Sequence, residues 1–193
     1  MPRPSLIAQR REEILNAFER CVARYGVDGA TLERTAEEAG LQRSLIRHNV
    51  GNRDELLNAL VDRFINKSTN DVNLLAEAVI EHNSAKYLID YLFNEKYSDT
   101  QSILIAEALI VAAPHYSEVA PRIQKWMQDF SNSLSKLLRQ FFPRASSADC
   151  RIVAVGIIGI YFNVESFAPL GPMKSLRQSS KSAAMRLLNT LNE

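Results

Sequence analysis

Apolar residues recur at helical spacing along almost the whole chain of 193 residues, and this periodicity limits the possible folds more than any other feature. Ile14, Phe18 and Val22, for example, share one face of a helix, because residues three or four positions apart lie one turn apart. No segment alternates apolar and polar residues as a half-buried strand does. The sequence therefore predicts an all-α protein with about nine helices.

Capping residues and glycines predict the ends of the first helices. The first helix should end near Gly26, since glycine readily leaves helical geometry. Thr31 is suited to cap a short second helix, which Gly40 would end in the left-handed conformation. A third short helix is expected over residues 43–49.

A longer fourth helix should follow. Asn52 and Glu55 have the spacing of a capping box, in which each side chain accepts the other's backbone N–H. Apolar residues keep the i, i+4 spacing to about Ser68, where we expect this helix to end. Further breaks are predicted at residues 82–84, 97–99, 113–114, 142–143 and 168–172.

Composition places the chain among ordinary folded proteins. Hydrophobic residues make up 46% and charged residues 23%, which excludes wholesale disorder. Cys21 and Cys150 are far apart in the sequence, so a disulfide framework or a zinc knuckle is excluded, and both thiols are expected to be buried. Residues 1–53 contain nine arginines, no lysine and seven acidic residues, a slight positive excess that permits contact with nucleic acid.

The longest apolar run, Ile152 to Phe162, has 11 residues. A transmembrane helix needs about 20 residues, and the N-terminus is polar and lacks the apolar stretch of a signal peptide. A soluble, cytoplasmic protein with no membrane partner is therefore expected.

Residues 31–49 have the spacing of a helix-turn-helix. Ala36 is small enough to let two helices approach, Gly40 makes the turn, and Ile46 anchors the second helix to the core. The outward positions of that second helix are Arg43, Ser44, Arg47 and His48. Arginine can bind guanine through two hydrogen bonds, and serine or histidine can reach base edges or phosphates. Many helical hairpins share this spacing, so on its own it leaves other functions open.

A longer set of residues points to one family. It comprises Arg11, Ile14-Leu15, Ala17-Phe18, Tyr25-Gly26, Ala30-Thr31-Leu32, Ala36-Glu37-Glu38-Ala39-Gly40-Leu41 and Asn52-Arg53-Asp54-Glu55-Leu56. With this spacing, residues 6–64 resemble the TetR family of bacterial transcriptional regulators. The resemblance implies a homeodomain-like helix-turn-helix DNA-binding domain, residues 1–52, and a larger helical effector-binding and dimerisation domain, residues 53–193.

The resemblance also implies which residues bind DNA. Asn52 would cap the next helix, and Arg53 would touch phosphate beside the helix N-terminus. Arg47 stands where the family usually has a phosphate-contacting Tyr, and would keep that role with a longer, charged side chain. Asn49 and Val50 replace a usual His and Phe. The implied DNA-binding residues are Thr31, Gln42, Arg43, Ser44, Arg47, His48, Asn52 and Arg53.

Aromatic and polar residues on the distal apolar helices are candidates for the effector pocket that the resemblance implies. They are Glu107, Tyr116, Trp126, Phe130, Tyr161, Phe162 and Glu165. Each of them also fits an ordinary place in the hydrophobic core. Glu107 is the candidate with the most specific argument, because a carboxylate inside an apolar run needs a partner or solvent.

The last two helices are candidates for a homodimer interface. Residues 152–162 are apolar on all sides and must be covered on all sides. Gly156 and Gly159 would permit close helix approach, and residues 176–191 carry an apolar stripe. A core within one chain is the alternative, but the family resemblance favours a four-helix interface between two copies.

Together these features predict a homodimeric repressor that binds a near-palindromic double-stranded DNA operator and is released by an unknown small-molecule effector. The fourth helix is expected to be the only continuous element that links the two domains. The alternative is a helical ligand- or protein-interaction protein whose helix-turn-helix no longer binds DNA. The sequence has no Gly-rich phosphate loop, no metal-binding His pair and no nucleophile with a recognisable base, so no enzyme, cofactor or metal site is expected.

Overall fold

The computed structural model describes residues 6–192, which form nine α-helices joined by short turns. The helices are α1 (Leu6–Gly29), α2 (Leu32–Ala39), α3 (Arg43–Val50), α4 (Arg53–Glu81), α5 (Ala85–Leu92), α6 (Thr100–Ala112), α7 (Val119–Phe141), α8 (Ser147–Ser166) and α9 (Lys174–Asn189). No strand occurs among these described residues. The prediction of an all-α fold with about nine helices is confirmed.

The boundaries of α1 to α3 follow from residues close to them in sequence. α1 is broken at Gly26, whose φ of 69° lies outside helical geometry. The Thr31 hydroxyl caps α2 by accepting the backbone N–H of Arg34 at 3.2 Å, and Gly40 ends α2 in the left-handed conformation with a φ of 67°. Gln42 precedes α3 without a capping hydrogen bond from its side chain. The boundaries of α2 and α3 match the predicted ones to within one residue, whereas α1 is kinked at the predicted Gly26 and continues to Gly29.

α4 begins at the predicted capping box and is longer than predicted. The backbone N–H of Asn52 donates to the Glu55 carboxylate at 2.7 Å, and the N–H of Glu55 donates to the Asn52 side-chain oxygen at 2.9 Å. The helix runs to Glu81, so the expected end near Ser68 is wrong. Residues 69–81 contain no Gly or Pro and continue to bury apolar side chains one turn apart, so nothing stops the helix there.

Packing divides the chain into two compact units. The first contains the residues up to Asn66 together with Leu104–Ile123, and the second contains Lys67–Ile103 together with the residues from Gln124 onward. Three helices, α4, α6 and α7, therefore continue from one unit into the other, and α4 is not the only continuous link. Periodicity identifies helices but not which helices pack together. The functional boundary between residues 52 and 53 stays a prediction.

The core of the first unit forms where α1 packs against α2 and α3. Ile14 and Phe18 of α1 and Ile46 of α3 have no exposed surface. Cys21 is buried beside them, as expected, and burial raises the pKa of its thiol. Leu56, Leu57 and Leu60, near the start of α4, are buried as well. Through Ile46, α3 is held by apolar contacts on one side.

The second unit is built around α8 and α9. The buried face of α8 includes Cys150 and Ile157. A Cβ placed on Gly156 would lie 2.4 Å from a methyl carbon of Leu187, so the close helix approach predicted at Gly156 is confirmed. The same substitution at Gly159 would meet nothing within 4 Å, and this glycine is not required by a neighbouring helix of its own chain.

Residues 147–170, which contain α8, form the most apolar helical segment. Their most apolar window has a mean hydropathy of 1.6, and the 24-residue segment is long enough to cross a membrane by length and composition alone. The apolar segment is longer than the 11-residue run on which the prediction was based, because weakly polar residues on either side extend the apolar helix. In this chain 33% of that window is buried, and the core helices of soluble proteins pass the same test.

Candidate nucleic-acid interface

The helix α3 presents one face to the protein core and the other to solvent. Ile46 is completely buried where α3 meets α1 and α2. The exposed side chains of α3 include Arg43, Ser44, Arg47 and His48. Positions 43 and 47, and positions 44 and 48, are each four residues apart, so the four side chains lie on one side of the helix. The major groove of DNA accepts a helix with such a polar, donor-rich face.

Arg43 forms an ion pair on the exposed surface of the helix-turn-helix. Its guanidinium lies 2.5 Å from the carboxylate of Glu33 in α2, and the two side chains are 64% and 63% exposed. An exposed pair of this kind contributes at most about 1 kcal/mol. Exchange of the Glu33 carboxylate for a phosphate or a guanine edge therefore costs little, and Arg43 keeps its place as a candidate for base contact.

Thr31, Gln42 and Asn52 lie at the starts of α2, α3 and α4. The side-chain oxygens of Thr31 and Asn52 accept backbone N–H groups of their own helices, and Gln42 is exposed. Thr31 and Asn52 thus have a capping role whether or not DNA is bound. Their contacts with DNA, and that of Gln42, stay predictions.

Arg53 has partners within the protein that the sequence did not predict. Its partly buried guanidinium donates to the carbonyl of Val27 at 2.6 Å and to the hydroxyl of Tyr116, and lies 3.5 Å from the carboxylate of Asp28. The Tyr116 hydroxyl in turn donates to Asp28 at 2.8 Å. We call Arg53, Asp28 and Tyr116 the Arg53 cluster. In this structure Arg53 fastens α4 to the end of α1 and to the turn before α7, and its contact with phosphate stays a prediction.

Other arginines of the first unit also have structural partners. Arg20 and Arg24 of α1 both bind the carboxylate of Glu38 in α2, at 2.6 Å and 3.2 Å. The hydrogen bond from Arg20 is the main reason that the pKa of Glu38 lies below its usual value. Arg34 donates to the carbonyl of Gly29 at 2.8 Å. Several arginines near the start of the chain therefore join α1 to α2.

The residues predicted to line an effector pocket do not all lie in one unit. Glu107 and Tyr116 belong to the first unit, where Glu107 is half-buried in α6 and Tyr116 is part of the Arg53 cluster. The other predicted residues, Trp126, Phe130, Tyr161, Phe162 and Glu165, belong to the second unit. The sequence grouped them by residue type, and residue type does not determine which helices meet.

Three of the aromatic residues pack together in the second unit. The centroid of the Trp126 ring lies 6.0 Å from that of Phe162 in an edge-on arrangement and 6.4 Å from that of Phe130 in a stacked one. The indole N–H of Trp126 donates to the Ser68 hydroxyl at 2.8 Å. This packing is that of a hydrophobic core with a satisfied polar edge, the alternative that the sequence left open for these residues.

Glu165 is a wholly buried carboxylate of the second unit. One of its oxygens accepts from the guanidinium of Arg177 at 2.7 Å, and the other accepts from the hydroxyl of Ser98. Burial raises the pKa of the neighbouring Tyr161, and the negative charge of Glu165 raises it further. The sequence directed attention to Glu107, but Glu165 is the carboxylate that requires buried partners. Within residues 6–192, no three His, Cys, Asp or Glu side chains are grouped to hold a metal ion.

A pocket of about 360 Å³ lies beside this buried ion pair. Its walls include Ser98 and Arg177, the two partners of Glu165, together with the apolar side chains of Val164 and Phe167. A cavity of this volume suits a small molecule. Sequence reasoning missed Ser98 and Arg177, because neither stands in an aromatic or apolar pattern and their proximity arises from folding.

Sequence comparisons relate the chain to transcriptional regulators. No family model matches it. The chain is 38% identical over 71 residues to the HTH-type transcriptional repressor AcnR of Corynebacterium jeikeium, a match that covers 37% of this chain and 34% of AcnR. It is 24% identical over 166 residues to the HTH-type transcriptional regulator BetI of Stenotrophomonas maltophilia, covering 81% of this chain and 80% of BetI. The match to AcnR thus spans about a third of that repressor's length.

Solved structures match the fold over nearly the whole chain. A TetR-family transcriptional regulator from Cytophaga hutchinsonii superposes with a TM-score of 0.78, 98% of each chain covered and 13% identity. The multidrug binding protein EbrR, solved in complex with imidazole, gives a TM-score of 0.61, 92% of this chain and 94% of EbrR covered, and 20% identity. At such identities the likeness concerns the fold. The chain has the TetR-family fold, which confirms the resemblance to the TetR family of transcriptional regulators predicted from residues 6–64.

Proposed function

We propose that this protein is a transcriptional repressor that binds a near-palindromic operator as a homodimer. One observation carries the proposal: α3 buries Ile46 completely and exposes Arg43, Ser44, Arg47 and His48 on its other face. A second helix of this composition, joined to the first through a left-handed glycine, fits the major groove. The 38% identity to a repressor over 71 residues supports the same function.

The exposed apolar face of α8 supports a homodimer. Ile152 and Val155 are 66% and 53% exposed, whereas Val153 and Ala154 between them are buried. Burial of such a side chain is worth about 1.5–3 kcal/mol, so this face favours association with a second copy. A groove beside it, lined in part by Ile160 and Leu187, has room for side chains of that copy. Two-fold symmetry would supply two recognition helices and hence require a near-palindromic site.

The pocket beside Arg177 supports release by a small-molecule effector. Its volume of about 360 Å³ and its mixed polar and apolar walls suit a small ligand. EbrR, which has this fold, was solved in complex with imidazole. An effector would release the repressor only if it bound one conformation better than the other, because equal affinity shifts no equilibrium.

The proposed function has consequences for where the protein acts and for the kinds of interaction it needs. A protein that binds chromosomal DNA in a bacterium would act in the cytoplasm, and we include this location in the proposal. Recognition of an operator requires hydrogen bonds, ion pairs and DNA shape, and it requires neither catalysis nor a cofactor.

The test is binding to duplexes selected from fragments of the source organism's genomic DNA. We expect the selected duplex to bind at least about 10³-fold more tightly than a scrambled duplex at physiological salt. The affinity for both should fall as salt rises, because phosphate contacts release counterions. Equal affinity for the two duplexes would contradict the proposal and favour the helical interaction protein without DNA binding.

A further inference from the structure

The Arg53 cluster joins three segments of the first unit that are distant in sequence. Asp28 lies at the end of α1, Arg53 is the first residue of α4, and Tyr116 lies in the turn between α6 and α7. The hydroxyl of Tyr116 accepts from Arg53 and donates to Asp28 at 2.8 Å. The Arg53 guanidinium also lies 5.5 Å from the centre of the Tyr116 ring. The cluster is a closed set of charge-assisted hydrogen bonds, the stronger class of such bonds.

The cluster lies directly after the recognition helix. Only Gly51 and Asn52 separate the last residue of α3 from Arg53. Gly51 has a φ of 79°, and a Cβ there would lie 1.8 Å from the Glu55 carboxylate, so this connection is tight. The backbone N–H of Gly51 donates to the carbonyl of Arg47 at 3.0 Å. Because the connection is short and crowded, the position of the α4 N-terminus determines where α3 ends.

A second group of polar contacts fastens the same segment further along α4. Arg122, in the first turn of α7, donates to Asn58 at 3.1 Å and to Asp62 at 2.5 Å. These residues lie one and more than two turns beyond Arg53. This second group therefore holds α7 against the body of α4. Arg63, further along α4, binds Glu12 and Asn16 of α1 at 3.1 Å and 2.5 Å, whereas the Arg53 cluster holds the first residue of α4 against the end of α1.

We propose that Tyr116 and Asp28 are positioning residues for operator recognition: they hold Arg53 and the start of α4, and through Gly51 the end of α3, at a fixed place against α1. The proposal rests on the proposed DNA-binding function. Arg53 then supports operator binding through the fold and not by a phosphate contact. The turn that contains Tyr116 lies between α6 and α7, which both continue into the second unit, so the placement of α3 depends on a segment beyond the helix-turn-helix.

Tyr116→Phe tests the proposal, because it removes the bridging hydroxyl and keeps the ring over Arg53. Asp28 is mostly exposed, so water can replace the lost hydrogen bond and the variant should fold. We expect affinity for the duplex selected from genomic fragments to fall about three- to tenfold, the worth of one such bond. The affinity for a scrambled duplex and the dependence on salt should not change. Tyr97→Phe is the matched control, since Tyr97 is an exposed tyrosine of the second unit.

Asp28→Asn separates positioning from general electrostatics. Removal of a negative charge, taken alone, would tighten binding to every duplex. Positioning instead requires the ratio of selected to scrambled affinity to fall. A Tyr116→Phe protein that binds the selected duplex like Tyr97→Phe, or more tightly than the parent, would overturn the proposal. So would an unchanged affinity ratio in Asp28→Asn.

Hydrogen exchange of the backbone amides tests the positioning role in the absence of DNA. The backbone amides of residues 47–51 should exchange faster in Tyr116→Phe than in the parent and in Tyr97→Phe, because the end of α3 loses its support. Unchanged exchange would overturn the positioning role. If the parent binds selected and scrambled duplexes equally, the proposed function fails, and faster exchange at these amides would still support the structural link from Tyr116 to α3.

Discussion

Glu165 and Arg177 form a buried ion pair between α8 and α9, with 2.7 Å between the carboxylate and the guanidinium. Glu165 has no exposed surface, and the hydroxyl of Ser98 satisfies its second oxygen. A buried charge is tolerated only with such partners. The pair therefore joins the packing of α8 and α9 to the wall of the neighbouring pocket, which includes Arg177 and Ser98.

Removal of one partner of this pair should be strongly destabilising. We expect Arg177→Met to lower the free energy of unfolding by about 3–5 kcal/mol, because it leaves a carboxylate buried without its countercharge. Lys181→Met is the control: Lys181 pairs with the exposed Asp90 at 2.7 Å, and its loss should cost less than about 1 kcal/mol. Urea denaturation measures both. Similar losses in the two variants would show that Glu165 does not depend on Arg177.

The helix boundaries near the recognition segment could be predicted because neighbouring residues decide them. Thr31, Gly40 and the pair Asn52–Glu55 each act within four positions of the helix end that they define. A hydroxyl cap, a left-handed glycine and a capping box work in the same way in any helix. The exposed face of α3 followed from the burial of Ile46, which the spacing also predicted.

The polar clusters could not be predicted, because folding brings their members together from distant parts of the chain. Arg53 and Tyr116 are 63 positions apart, and no local pattern links them. The sequence therefore assigned Arg53 to phosphate and Tyr116 to an effector pocket. Glu165 was a candidate by residue type, but its partners Ser98 and Arg177 lie 67 and 12 positions away.

The capping box of α4 should contribute measurably to stability. Asn52→Ala removes the side-chain oxygen that accepts the backbone N–H of Glu55, and we expect a loss of about 0.5–2 kcal/mol. Asn66→Ala is the matched control at an exposed position inside α4, where alanine should be neutral or slightly stabilising. Thermal denaturation followed by circular dichroism compares them. Equal melting temperatures for both variants would mean that the cap contributes nothing.

The exposed face of α8 should control assembly. Ile152→Asp or Val155→Asp should give a folded monomer, because each places a charge on the apolar face proposed to meet a second copy. Ile157→Asp is a poor test of assembly, since Ile157 is completely buried in its own chain and the variant should unfold. Sedimentation velocity at micromolar concentration, with circular dichroism as the check on folding, separates these outcomes. A parent protein that sediments as a monomer would contradict the homodimer.

The Lys67–Asp99 ion pair should make stability depend on pH at both extremes. Burial acts to raise the pKa of Asp99, but hydrogen bonds from Lys67 and Ser102 outweigh it and hold that pKa below the ordinary 3.8. Burial likewise acts to lower the pKa of Lys67, and its bonds to Asp99 and Asp71 raise it above the ordinary 10.5. The Asp99 contribution is therefore present above its unfolded pKa and is lost as pH falls through the folded value. The Lys67 contribution is present below 10.5 and is lost as pH rises through the folded value.

Asp99→Asn tests this dependence. The variant should melt at a lower temperature than the parent at pH 7, and the difference should shrink as the pH falls below about 4, where Asp99 in the unfolded parent becomes protonated. Asp129→Asn breaks the exposed Lys125–Asp129 pair and should have little effect at either pH. A difference for Asp99→Asn that stays constant from pH 7 to pH 3 would contradict the role of its charge.

Alanine substitutions in the recognition helix α3 should distinguish two kinds of DNA contact. Arg47 lies on the exposed face of α3, one turn after Arg43, and replacement of either arginine by alanine keeps a good helix former. Arg47→Ala should weaken binding to selected and scrambled duplexes about equally and lower the salt slope by about 1, because it removes a phosphate contact. Arg43→Ala should cost about 1–3 kcal/mol on the selected duplex alone, because a two-bond contact to guanine is specific. Arg24→Ala, an exposed arginine of α1 paired with Glu38, is the control. Fluorescence anisotropy over a series of salt concentrations measures both the affinity and its dependence on salt. If Arg43→Ala and Arg47→Ala both bind like Arg24→Ala, α3 is not the helix that enters the groove.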